Sequence, residues 1–348
     1  MIFDPLLDLF RGRAITIPPL DGAFRANTAL DTAPMHLALP AADNLVAWQG
    51  KMLASSGTDL VNTGTATVIQ HCAAPISALA VSPAGDLAVA QDTGALTIAG
   101  ANITLPAGLG CITALAFAPD GALWLANGSA THRPSEWAAD LMEKNASGSV
   151  WRQASPGQKF EKIAAGLAFP YGLLPQGDGV IVSESWRHQL IRLTANGVAS
   201  PVLRHLPGYP ARLTATPDGG AWLAMFAPRN RLIEFVLKEH HYRQDMMASV
   251  PRDHWIAPAL ASGRSFIEPM QCGGIHSMGV HKAWAPSRSF GLVVRLDANM
   301  VPLHSLHSRA DGKRHGVCSV LETAGQVFIA CKGGDCVVVA DAAAAGGA

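Results

Sequence analysis

Short apolar runs recur along the chain, each cut by a tight turn and followed by a second apolar run that ends in small residues. The pattern reads Ala78-Leu-Ala-Val-Ser-Pro83-Ala-Gly85-Asp-Leu-Ala-Val-Ala90 and Ala114-Leu-Ala-Phe-Ala-Pro119-Asp-Gly121-Ala-Leu-Trp-Leu-Ala126. It returns as Gly172-Leu-Leu-Pro175-Gln-Gly-Asp-Gly179-Val-Ile-Val182 and Leu213-Thr-Ala-Thr-Pro217-Asp-Gly219-Gly-Ala-Trp-Leu-Ala224. A first copy is read at His36-Leu-Ala-Leu-Pro40, and a last one, without proline, from Val317 to Ala330. The runs are too short for helices and are bounded by Pro, Gly and Asp, so each copy predicts a β-hairpin. One hairpin cannot bury both faces alone, and a period of about 40 residues is that of propeller blades. The copies predict an all-β, six-bladed β-propeller, with seven blades as the alternative count. The long stretch between Gly219 and Gly325 leaves room for a degenerate fifth blade, with Ser289 to Asp297 as one of its strands.

Two segments break the rhythm. Trp137-Ala-Ala-Asp-Leu-Met-Glu143 reads as a short helix between two blade strands. Within Arg231 to Ser262, the apolar spacing from Leu232 to Met247 fits an amphipathic helix better than a strand. Insertions of this kind sit over one face of a propeller, so a helical cover is predicted there. The expected organisation is a lead-in segment over residues 1–30, a single propeller over 31–341, and a flexible tail over 342–348.

Composition sharpens this picture. The 348 residues are 49% hydrophobic and only 15% charged, with 26 basic and 26 acidic residues, which indicates a large buried fraction and no electrostatic footprint for nucleic acid. No run of apolar residues is long enough for a membrane span, and acids stand near the N-terminus where a secretory signal needs basic residues. A cytoplasmic location is expected, with the six cysteines reduced; Cys331 and Cys336 flank Lys-Gly-Gly-Asp and are placed to meet across a hairpin. The expected partner is a small molecule, neither nucleic acid nor membrane.

Several linked phrases resemble the strictosidine synthase-like family: Ser135 to Glu143, Ser147-Gly-Ser-Val-Trp-Arg152, Gly166-Leu-Ala-Phe-Pro-Tyr-Gly172, Ser183-Glu-Ser185 and Leu206-Pro-Gly-Tyr-Pro210. That family is similar to the calcium-dependent lactonases, the gluconolactonase, regucalcin and paraoxonase propellers. The resemblance implies six blades around a central pocket. In the lactonases it also implies a hub calcium held by Glu, Asn and Asp at the starts of inner strands, hard oxygen ligands of the kind calcium needs. The matching positions here are Met35, Thr113, Tyr171 and Ala211, followed by Arg212. A thioether, a phenol and a methyl do not replace such ligands, so no hub metal and no cofactor is expected. The glutamate implied for strictosidine synthase falls beside Cys318, and no acid stands there.

The remaining chemistry is read from polar residues near the expected hub. Tyr171 and Arg212 open adjacent inner strands and form a candidate substrate-binding pair for a carboxylate or an oxyanion. His36 and Glu184 are further candidates, Glu184 either as a pocket acid or as a partner of Arg187 or Arg192. His315 with Asp311 is the candidate general base, since an imidazole titrates near neutrality. His276 and His281 lack an evident third ligand for a metal. No Gly-x-Ser-x-Gly elbow and no phosphate-cradling loop is present. The expected activity is metal-independent hydrolysis of a lactone, ester or amide. The alternatives are a non-catalytic binding or sensing propeller and an amine–aldehyde condensing lyase.

Overall fold

The computed structural model describes residues 17–262, 276–277, 280–281 and 289–342. Six four-stranded antiparallel sheets are formed. Their first strands are Ala42–Trp48, Ile76–Val81, Ile112–Phe117, Pro170–Gln176, Gly208–Ala215 and Val317–Thr323, in blades one to six. Each touches the next, and Val317–Thr323 touches Ala42–Trp48, so the six form a closed inner ring. The fold is a six-bladed β-propeller.

The apolar faces meet between blades. Leu53, Leu60, Leu79 and Val89 pack blade one on blade two, and Ala78, Ala88, Leu115, Leu125 and Trp151 pack blade two on blade three. Trp124 and Ala126 join Leu173, Val180 and Val182 across the next seam. Trp222 and Ala224 join Val320 and Ile329 between blades five and six. The alanines of the repeated phrase lie in these seams, where small side chains let neighbouring sheets approach closely. Trp124 and Trp222 are almost fully buried, and truncating either to alanine would cost roughly 3–5 kcal/mol.

Closure explains one departure from the sequence expectation. Met35–Ala38 is the outermost strand of blade six, paired with Cys336–Asp341 from the other end of the chain. His36-Leu-Ala-Leu-Pro40 is therefore the strand that ties the ring shut, and not the start of a blade. Blade one begins after it, with Gln49-Gly50 at the turn between its first two strands. Among the described residues no further blade follows Gly219: Leu292–Leu296 and Pro302–His307 complete blade five. The predicted helix Trp137–Glu143 forms. The second insertion is two short helices, Arg231–Val236 and His240–Ser249, rather than one. Asn230 caps the first by accepting from the Leu232 amide.

Candidate functional site at the propeller axis

All six inner strands carry a register shift near the start of their pairing with the second strand: Ala42/Leu45, Ile76/Ala78, Ile112/Ala114, Pro170/Gly172, Pro210/Leu213 and Val317/Ser319. A bulge leaves its extra residue outside the ladder and re-aims it. The residues freed in this way include Asp43, Ser77, Thr113, Tyr171, Arg212 and Cys318. The six form an equivalent set around the axis. The backbone they leave unpaired is satisfied from neighbouring blades: Thr113 Oγ1 donates to the Pro170 carbonyl at 2.6 Å, and Ser183 Oγ donates to that of Ala211 at 2.6 Å. Gly172 is required by the same crowding, since a Cβ there would lie 2.4 Å from the Ala211 carbonyl oxygen and 2.8 Å from the Arg212 Cα.

Arg212 spans the ring. Its Nη1 donates to Asp43 Oδ1 at 2.5 Å and to the Cys318 carbonyl at 3.3 Å. Its Nη2 donates to the carbonyls of Ser77 at 2.6 Å and Thr113 at 3.3 Å. One guanidinium from blade five thus binds blades one, two, three and six. Its carbon lies 5.0 Å from the centre of the Tyr171 ring, a cation–π contact with blade four. Lys332, on the 3-10 turn Lys332–Gly334 of blade six, completes the group by donating to Asp43 Oδ2 at 2.6 Å.

The charges fix one another. Burial alone would raise the Asp43 carboxyl, but Arg212 and Lys332 outweigh it and hold the group below the usual carboxylate range. Burial would lower both cations, and Asp43 instead raises both. Burial, then the nearby Cys318 and Asp43, keeps the Tyr171 phenol protonated. Burial pushes the Cys318 thiol up to about 12. Two cations against one carboxylate leave one net positive charge at this level of the axis.

Above this floor lies a cavity of about 270 Å³. Trp137, Phe169, Tyr171 and Phe226 wall it, Asp43, Arg212 and Lys332 lie at its base, and Asp92, Ser135 and Leu260 also face it. The aromatic walls brace one another, Trp137 against Phe226 at 5.2 Å and Tyr171 against Phe226 at 5.7 Å. Phe169 holds a left-handed φ of +56°, a costly conformation for a bulky residue before proline, and it directly precedes the bulged Pro170-Tyr171. Asp92 accepts from the Ser135 amide at 2.7 Å and from its hydroxyl at 2.8 Å, tying the helix Trp137–Glu143 to blade two. Both insertions contribute to the cavity, through Trp137 and Leu260.

The structure brings together two of the six residues singled out from the sequence, Tyr171 and Arg212. The other four do not line this cavity. His36 is on the closing outer strand against Phe328. Glu184 is buried as an internal acceptor for the Ala168 amide at 2.7 Å, the Gln189 amide at 2.6 Å and the Arg187 guanidinium. His315 is buried with Nε2 3.1 Å from the Arg309 carbonyl, while Asp311 pairs with the Arg309 side chain at 3.1 Å. The loop carrying them folds against blade six and Asp31 rather than over the opening. His276 and His281 are ladder partners in a two-stranded piece, and their side chains lie outside the described residues.

The first-blade hub position needs correction as well. Met35 is 55% exposed on the outer strand, and the acid at the hub is Asp43. A carboxylate is thus present, but a metal does not fit. Asp43 and the converging carbonyls of Ser77, Thr113 and Cys318 all accept from Arg212, so a guanidinium takes up the oxygen set that a calcium would need. Among the described residues, no group of three or more His, Cys, Asp or Glu side chains is placed to hold a metal ion.

No protein-family model matches the chain. It is 26% identical over 164 residues to the adipocyte plasma membrane-associated protein of Danio rerio. That match spans 41% of this chain and 40% of the relative, so the chain spans about two fifths of that protein's length. Among solved structures it is similar to a gluconolactonase from Xanthomonas campestris, with a TM-score of 0.54 and 14% identity over 90% of this chain and 92% of that one. It is also similar to a putative gluconolactonase, with a TM-score of 0.51 and 12% identity over 89% and 91%. The fold is that of the gluconolactonase-like propellers. Among the described residues, no helix is long and apolar enough to cross a membrane.

Proposed function

We propose that the axial cavity takes a small organic molecule with an apolar or aromatic body and an electron-rich oxygen, and that the protein hydrolyses a lactone, ester or amide there without a metal. The observation that carries this reading is the cation pair at the base of an aromatic-walled cavity. Lys332 and Arg212 share one carboxylate, so the floor keeps a net positive charge for a carbonyl oxygen as it becomes an oxyanion. Asp92 faces the same space and still has lone pairs beyond those Ser135 uses, so it takes the water-activating role that the sequence assigned to His315 and Asp311. Tyr171, held as a phenol, lines the same cavity with Arg212 against its ring. The reading is in keeping with the likeness to gluconolactonase propellers, whereas amine–aldehyde condensation would lack its acid, since Cys318 stands at that position.

A panel of aryl and alkyl esters, lactones and amides, each with and without a chelator, tests it. Turnover should survive the chelator and fall by about a hundredfold in Asp92→Asn. Lys332→Met should weaken carboxylate or product binding by roughly 10- to 100-fold, the loss of one charged hydrogen bond. Turnover abolished by the chelator, or unchanged in Asp92→Asn, would defeat the proposal.

A second reading, a non-catalytic binding propeller, draws on Asp43 itself. A carboxylate clamped between two cations is a poor base, so the floor binds rather than activates. Saturable binding of panel members with no turnover, and with equal affinity in Asp92→Asn, would favour it.

A further inference from the structure

The hairpin that delivers Lys332 to the cavity carries a second chemistry that the site does not use. Cys331 ends the second strand of blade six, Cys336 begins the third, and the two are direct ladder partners. Opposed residues of an antiparallel pair have Cα atoms about 4.5–5.5 Å apart, within the roughly 4.4–6.8 Å span of a disulfide. Both are free thiols in the structure. Arg314 reaches in from a partly exposed position, its Nη1 3.1 Å from Cys336 Sγ. We propose that Cys331 and Cys336 form a reversible dithiol–disulfide site, oxidised by a small peroxide, and that closing it resets Lys332 and hence the charge at the cavity floor.

The two sulfurs have unequal roles. The neighbouring Cys331 and the guanidinium of Arg314 beside its sulfur draw Cys336 towards the thiolate, against the effect of burial. The neighbouring Cys336 and burial keep Cys331 protonated. Arg314 stands beside Cys336, 1% exposed against 0% for Cys331, so Cys336 is the nucleophile and Cys331 the resolving thiol. The Cys336 thiolate attacks one oxygen of hydrogen peroxide, the O–O bond breaks, and a sulfenic acid and hydroxide result. Cys331 then attacks the sulfenyl sulfur as its proton passes to the departing oxygen; the S–S bond forms and the S–O bond breaks. In sum, two thiols and one peroxide give one disulfide and two waters, with the sulfurs oxidised and the peroxide reduced.

The link to the cavity is covalent and short. Lys332 follows Cys331 directly, and its turn is boxed in. The Lys332 amide donates to the Gly316 carbonyl at 2.9 Å and the Gly333 amide donates to that of His315 at 3.1 Å. A Cβ on Gly333 would overlap the Leu260 carbonyl. In this proposal a backbone shift that closes the disulfide is carried to Lys332, the next residue along the chain.

The test treats the reduced protein with near-stoichiometric hydrogen peroxide, then counts thiols in denaturant and maps peptides by mass. Two of the six cysteines should be lost as one disulfide joining Cys331 and Cys336, with full recovery in dithiothreitol. Cys331→Ser should stop at a sulfenic acid on Cys336 that dimedone traps, and Cys336→Ser should retain its Cys331 thiol. Acetylation of Lys332 by acetic anhydride, which needs no ligand, should change severalfold between the reduced and disulfide forms. Six titratable thiols after treatment, or equal thiol loss in Cys336→Ser, would overturn the site; the wild-type count decides it even if a variant fails to fold. A disulfide with unchanged Lys332 acetylation would overturn the coupling.

Discussion

Replacing Arg212 by methionine probes the centre of the molecule most directly. The change keeps much of the side-chain volume but removes the guanidinium that joins Asp43 to the carbonyls of Ser77, Thr113 and Cys318. Asp43 is then left buried with Lys332 alone, and three inner-strand carbonyls lose their donor. Breaking a buried ion pair by removing one partner costs about 3–5 kcal/mol. Unfolding entropy of about 2.1 cal/mol/K per residue makes this a fall in Tm of roughly 4–7 °C for a chain of this length, if the propeller unfolds as one unit. The assay is a double-mutant cycle by urea unfolding with Arg212→Met, Asp43→Asn and the pair. Asp43→Asn should cost less in the Arg212→Met background than in the wild type, since its bond to Arg212 is already gone there and only that to Lys332 remains to be lost. An Arg212→Met variant within about 0.5 kcal/mol of wild type, or strictly additive effects, would refute a hub held by this ion pair.

Gly172→Ala should destabilise by about 1–3 kcal/mol through overpacking against blade five, and should shift the Arg212 strand; Gly110→Ala, whose Cβ meets nothing within 4 Å, serves as the near-neutral control. His307 is fully buried, and burial pulls its imidazole down to about 4, against about 6.5 when unfolded. The folded state thus binds this proton less well than the unfolded one. The associated stability is present above pH 6.5 and lost as pH falls towards 4, by up to roughly 3 kcal/mol. A urea midpoint that stays flat over that window in the wild type would contradict this. Asp43 behaves in the same sense but lower: its contribution should persist through pH 5 and vanish only below the ordinary carboxylate range, which urea unfolding of wild type and Asp43→Asn at pH 3 and 5 would show.

Much of the fold follows from local pattern. A run such as Ala114 to Ala126 buries itself only as a hairpin packed between others, and its period sets the blade count. The same repeat placed Tyr171 and Arg212 at equivalent points, because equivalent points of successive blades converge on one axis, while Thr113 and Cys318 were marked only by the family resemblance. Which copy was a true blade was not legible. Closure pairs Met35–Ala38 with Cys336–Asp341 from the far end of the chain, and no local signal distinguishes such a strand from the first strand of a blade. That single ambiguity hid Asp43 behind Met35 and carried His36 to the rim. Lys332 and Asp92 were missed for a related reason: they sit on turns at the ends of strands, outside the repeated phrase. His315 and Asp311 looked like a site because they are close in sequence, yet the loop folds on itself and on Asp31. The sequence by itself determined the repeat and the axial placing of Tyr171 and Arg212, since both depend on short-range alternation and spacing. Only the tertiary structure decided what Arg212 binds, because its partners Asp43, Ser77, Thr113 and Cys318 lie 99 to 169 positions away along the chain and meet only when the ring closes.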